Sequence, residues 1–147
     1  RTGQKEQQRF EYGRIFTHHL TDSINMYTRE EKLELCKMYL AGFIAEELLL
    51  GSCGYSCHAE DDTANALRLA QSITFEGLDV NNMPKHIQKQ KQDEALAIIE
   101  RCKKEAREQL TQHKATLERL AQELLKHKTL DRYQVAQAMH NQVAPAA

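Results

Sequence analysis

The sequence predicts a mainly α protein: a helical bundle carrying one short strand or hairpin element. Three observations predict it. Apolar residues recur at helical spacing through most of the chain after Thr28. Two stretches open with a capping-box pattern, Thr28 with Glu31 and Asp131 with Gln134. The composition is balanced and highly charged, with 28% Asp, Glu, Lys and Arg, no tryptophan and 6 glycines, as suits solvated helix faces.

Residues 1–11 are polar without periodicity and read as a loop. Residues 12–20, from Tyr12 to Leu20, form a short run that is partly β-branched and aromatic, and read as a strand. A turn follows over 21–25. The helical bundle is expected over 28–141, with a loose tail at 142–147. Its first helix starts at the Thr28 cap, where Glu31 satisfies the free N–H groups of the opening turn. Leu33, Cys36, Leu40, Phe43, Ile44 and Leu48 then share a face. Gly42 costs helix stability relative to alanine. Its presence therefore predicts close approach of another backbone. Gly51 is expected to end the helix.

Residues 51–59 read as a loop. Asp61 or Asp62 is expected to cap the second helix, which carries Ala66, Leu67, Leu69, Ala70 and Ile73 and closes at Gly77. Residues 78–90 are polar, hold Asn81, Asn82 and Pro84, and read as a surface loop. From about 92 to 127 the pattern gives one long helix, or two with a break. Its stripe is Ala95, Ile98, Ile99, Cys102, Ala106, Leu110, Leu117, Leu120 and Leu124, and Glu100 with Lys104 makes an i,i+4 pair on the outer face. The Asp131 cap opens a short last helix, with Tyr133, Val135, Ala136 and Met139 expected to face inward.

Cys36 and Cys102 fall within helical patterns and are expected to be buried as small apolar residues. Cys53, Cys57 and His58 cluster in a Gly/Ser-rich loop. That cluster suits a reduced loop, a metal site or a disulfide. A zinc site would want a fourth ligand, and no second cluster supplies one at the usual spacing. His18 and His19 alternate across the strand, so both cannot reach one metal. His86, His113, His127 and His140 are assigned no chemistry.

The formal net charge is −1. No basic stripe marks a nucleic-acid partner; Glu6 and Glu11 dilute the N-terminal Arg1, Lys5, Arg9 and Arg14. No apolar run is long enough to span a bilayer, and no signal-peptide pattern is present. The chain starts at Arg1 rather than methionine, and a boundary or cleavage is expected before it.

The order of these elements resembles the C-terminal part of the peptidase domain of FtsH-like, ATP-dependent zinc metallopeptidases. The resemblance runs from Tyr12 to Met139 and makes 1–147 a single peptidase-like domain. It rests on Ala41-Gly42-Phe43-Ile44-Ala45-Glu46-Glu47-Leu48, on the carboxylate pair Asp61-Asp62 opening the next helix, and on Thr129-Leu130-Asp131 before the last one. It implies that Asp62 is the third protein ligand of a zinc ion; the other reading of Asp62 is a plain helix cap. A zinc with three protein ligands keeps one position open, where it makes a bound water acidic enough to attack a peptide carbonyl.

The H-E-x-x-H sequence that would give two more ligands and the base does not occur in this chain, so the chain alone is expected to be catalytically inert. The resemblance also implies that Ile15, Phe16, Thr17 and His18 line one edge of the substrate groove, pairing with an extended peptide through backbone hydrogen bonds. An ordinary structural strand is the alternative. Protein or peptide substrates, a homohexamer, ATP on a module outside this chain, and a membrane tether outside it are implied in the same way. No P-loop sequence occurs here. Ile15 stands where the family has glycine, Asp61 replaces its asparagine, and Thr21-Asp22-Ser23 replaces its acidic, prolyl turn. These departures favour a second class of function, a pseudo-peptidase kept as an oligomerisation or substrate-binding scaffold. A third is a helical interaction module unrelated to the family.

Overall fold

The computed structural model describes residues 24–51 and 59–140. The expected strand at 12–20, the loop with Cys53, Cys57 and His58, and the tail at 142–147 lie outside the described residues. Five α-helices follow one another: α1 (Arg29–Leu50), α2 (Ala59–Thr74), α3 (Lys85–Gln112), α4 (Lys114–His127) and α5 (Arg132–His140). A mainly α helical bundle is thus what the chain forms, with no strand among the described residues.

Helix α1 forms where its ends are locally satisfied. The Thr28 hydroxyl accepts the Glu31 N–H at 3.2 Å, and the Thr28 N–H donates to Glu31 Oε2 at 2.7 Å, closing the capping box. At the other end Gly51 adopts a left-handed φ of 74° and its N–H donates to the Glu47 carbonyl at 2.9 Å. Glycine takes that conformation without a Cβ clash.

The core lies where α1, α2 and α3 pack pairwise. Cys36, Leu40 and Ile44, one helical turn apart on α1, are all fully buried. They meet Ala66, Leu69 and Ala70 of α2 and Ala95, Ile99, Cys102 and Ala106 of α3. Leu40 and Ile44 of α1 thus share the core with four alanines as well as Leu69 and Ile99, a mix of large and small side chains that fills the space between the helices. Burying a Leu40 or Ile44 side chain stabilises the fold by about 1.5–3 kcal/mol each. Lys32, one turn before Cys36, is also buried.

Helices α4 and α5 pack mainly on each other, as a hairpin after the three-helix core. The long 92–127 pattern resolves into two helices broken at His113 (φ −109°, ψ 25°). Residues Thr111 to Lys114 carry no apolar side chain, so no packing holds the two halves to one axis. The Asp131 capping box forms as expected: the Asp131 N–H donates to Gln134 Oε1 at 2.9 Å and the Gln134 N–H to Asp131 Oδ1 at 2.8 Å.

Several expectations need correcting. Gly42 lies on the exposed face of α1, and a Cβ built there meets nothing within 4 Å. Among the described residues no backbone approaches it, so none of them offsets its cost to the helix. Asp61 and Asp62 do not cap α2; the helix begins at Ala59 and they fall within its first turn. The expected loop at 78–90 ends early, because α3 starts at Lys85 behind Pro84. Glu100 pairs with Lys103 at 3.1 Å rather than with Lys104. Leu124 is 46% exposed. On α5 the inward residue is Ala138, whose carbonyl accepts from Arg119 Nε of α4 at 3.3 Å. Tyr133, Met139 and Ala136 are exposed and Val135 is half-buried.

Candidate functional site

The residues singled out for chemistry fall around the passage from α1 to α2. The end of α1 carries Glu46 and Glu47 and no basic residue. Carboxylates there oppose the negative end of the helix dipole. The opposition is met from outside the helix: Arg107 of α3 forms an ion pair with Glu47. Lys37, earlier on α1, makes a similar bridge, lying 2.6 Å from Glu34 and 3.6 Å from Glu105 of α3. The hydrogen bond with Glu34 holds the Lys37 ammonium above its usual range. These pairs fix α1 against α3.

Asp61 and Asp62 occupy the first turn of α2. Negative charge is stabilised there by the helix dipole whether or not a metal is near. Asp61 is exposed and Asp62 half-buried. Asp62, like Glu46, is engaged by other groups of the protein. As a metal ligand Asp62 offers one carboxylate on a rigid element. No group of three or more His, Cys, Asp or Glu side chains among the described residues could hold a metal ion. A catalytic zinc needs three protein ligands. The described residues therefore do not make a zinc site by themselves, and Asp62 would serve only with ligands from outside them. The expected groove residues Ile15, Phe16, Thr17 and His18 lie outside the described residues, as do Cys53, Cys57 and His58.

A shallow, open depression is lined by His86, Lys89, Gln90, Asp93, Glu94 and Ala97, all from α3. It is the flank of one helix, and Glu94 there is engaged by Lys91 at 2.9 Å. No described helix is long and apolar enough to cross a membrane.

What sequence reasoning does not bring together is a pair of thiols. Cys36 and Cys102 are buried, as expected, and the structure brings them into one cluster where α1 packs on α3. Cys102 of α3 lies against the α1 backbone about one turn before Cys36, so each thiol acts on the other electrostatically. Cys36 Sγ also lies 3.7 Å from the Ala66 carbonyl, and Cys102 Sγ 4.0 Å from the Leu33 carbonyl. Burial pushes the Cys36 thiol up to about 12, with Cys102 adding to the effect. Burial raises Cys102 as well. The helical register marks each cysteine as inward; only the packing of α1 on α3 makes them neighbours. A scan against protein-family models and a search of curated proteins find nothing that matches this chain.

Proposed function

We propose that this chain is the C-terminal portion of an FtsH-like, ATP-dependent zinc metalloendopeptidase domain that acts in protein degradation. The observation that carries the reading is an ordered succession of helices. A Thr28-capped helix carries Ala45-Glu46-Glu47 near its end, and the next holds two carboxylates in its first turn. A long charged helix follows, then a last helix capped by the aspartate of Thr-Leu-Asp. In this reading Asp62 is the third zinc ligand, completed by two histidines of an H-E-x-x-H helix outside this chain. Ile15, Phe16, Thr17 and His18 pair with an extended peptide. The same reading takes a homohexamer and an ATPase module outside these residues. When bound, the zinc would supply an acidified water for attack on a peptide carbonyl.

The second reading is a catalytically inactive pseudo-peptidase, a scaffold for oligomerisation or substrate binding. Ile15 in place of glycine and Thr21-Asp22-Ser23 in place of the acidic, prolyl turn favour it.

The test uses a protein extended through the residues encoded before Arg1. Its bound zinc and its ATP-dependent degradation of an unfolded substrate are measured, alone and with Asp62→Asn. The peptidase reading expects one zinc per chain and proteolysis. It also expects Asp62→Asn to cut zinc retention by roughly tenfold or more at unchanged helix content. An upstream helix without H-E-x-x-H, in a protein that still assembles, supports the scaffold instead. No such helix and no assembly would remove the family reading.

A further inference from the structure

The buried thiols have no part in the function proposed above, and they occupy a telling place. Cys36 of α1 and Cys102 of α3 are 0% and 1% exposed, at the centre of the core. One sulfur reaches the α2 backbone at Ala66 and the other the α1 backbone at Leu33, so the pair sits where all three helices meet. Two core cysteines could have been placed anywhere along these stripes; here both lie in one buried cluster, with Cys102 against the α1 backbone about one turn from Cys36. We propose that Cys36 and Cys102 are a concealed redox latch. A small disulfide oxidant such as glutathione disulfide closes it into an intramolecular disulfide joining α1 to α3 whenever that interface opens.

The chemistry balances with that oxidant. One thiol loses its proton, and its thiolate attacks a glutathione sulfur. The glutathione S–S bond breaks, releasing one glutathione thiolate. The second cysteine thiolate then attacks the mixed disulfide and expels the other glutathione. The two cysteines are oxidised, two glutathiones are produced in the reduced form, and the two cysteine protons end on them. While α1 and α3 are docked, burial keeps both sulfurs as thiols and away from any oxidant, so the pair is inert. Local opening of the helices removes both protections at once. On reclosing, the helices return both sulfurs to the same cluster, with Cys102 about one turn from Cys36 along α1, where the second thiolate completes a bond of about 2 Å. The resulting cross-link closes a loop of chain that includes all of α2, which restricts the unfolded chain.

The test is made on the whole chain with Cys53→Ser and Cys57→Ser, so that no other thiol competes. The protein is incubated with glutathione disulfide across a series of urea concentrations below the unfolding transition, quenched with iodoacetamide, and read by intact mass and peptide mapping. The expected result is loss of two hydrogens, a Cys36–Cys102 cross-linked peptide, and a rate that climbs with urea. Back in buffer, the cross-linked form should melt roughly 5–15 °C above the reduced one. Three results would overturn the proposal. Stable glutathione adducts could form on the two cysteines without a cross-link. The cross-linked protein could melt below the reduced one, showing that the docked helices do not accommodate the bond. Or neither thiol reacts short of global unfolding, showing that the interface does not open on its own.

Discussion

Leu40 is the most direct probe of the three-helix core. Its side chain is fully buried midway along α1, flanked by Cys36 and Ile44 one turn to either side. Leu40→Ala removes three carbon groups, a transfer loss of about 2.4 kcal/mol at ~0.8 kcal/mol each. A cavity term adds to it, because the facing positions cannot collapse inward. The neighbours contributed by α2 and α3 include Ala66, Ala70, Ala95 and Ala106, which have no side-chain freedom with which to fill a gap. The total should reach about 3–4 kcal/mol, within the range seen for buried leucine truncations. Urea unfolding followed by far-ultraviolet circular dichroism measures it. Leu125→Ala, at a side chain 82% exposed on α4, is the control and should change stability by less than about 0.5 kcal/mol. A Leu40→Ala loss below about 1 kcal/mol, with an unchanged dependence on urea, would show that α1 does not hold the centre of this core.

Two further outcomes follow from the ends and the interior of α1. Thr28→Ala removes the hydroxyl acceptor from the capping box and should cost about 1 kcal/mol in the same urea assay, with Thr28→Ser recovering most of it. Stability should also fall at alkaline pH. The Cys36 thiol lies near 12 in the folded protein against an ordinary 9.0. The unfolded chain therefore loses this proton first, and the contribution, complete below pH 9, is lost as pH climbs towards 12. The raised Lys37 ammonium acts in the same direction above 10.5. Cys36→Ala should flatten the early part of the decline in the urea midpoint; an unchanged slope would remove the buried thiol as its cause.

The ends of α1 are legible in the sequence because a cap is a local event: Thr28 and Glu31 lie three residues apart, and Gly51 needs only its own φ. The same holds for Asp131 and Gln134. The start of α3 is legible only in part. Residues 85–91 have the polarity of a loop, yet Pro84 sets the backbone just ahead of a first turn, and straight-chain Lys and Gln propagate a helix well. The inward face of α5 is not legible. Over nine residues Tyr133, Val135, Ala136, Ala138 and Met139 offer more than one apolar face, and the choice is made by α4 through Arg119 and the Ala138 carbonyl. The long-range pairs are invisible for the same reason. Nothing near Arg107 in the chain names Glu47, and nothing near Cys102 names Cys36.

The case of Asp62 shows how the two roles open to it separate by experiment. A carboxylate in the first turn of α2 stabilises the helix by about 0.3–1 kcal/mol through the dipole alone. Asp62→Asn should therefore cost about that much in the 147-residue chain, with or without zinc. A metal ligand adds a term that depends on concentration: a protein that binds zinc only when folded gains RT ln(1 + [Zn]/Kd). In the extended protein, zinc at a hundredfold excess over Kd would raise stability by about 2.7 kcal/mol. In Asp62→Asn it would raise it by much less. The helix-end role predicts one constant offset between the two proteins. The ligand role predicts an offset that grows with the logarithm of zinc concentration, and that difference in form identifies which role Asp62 plays.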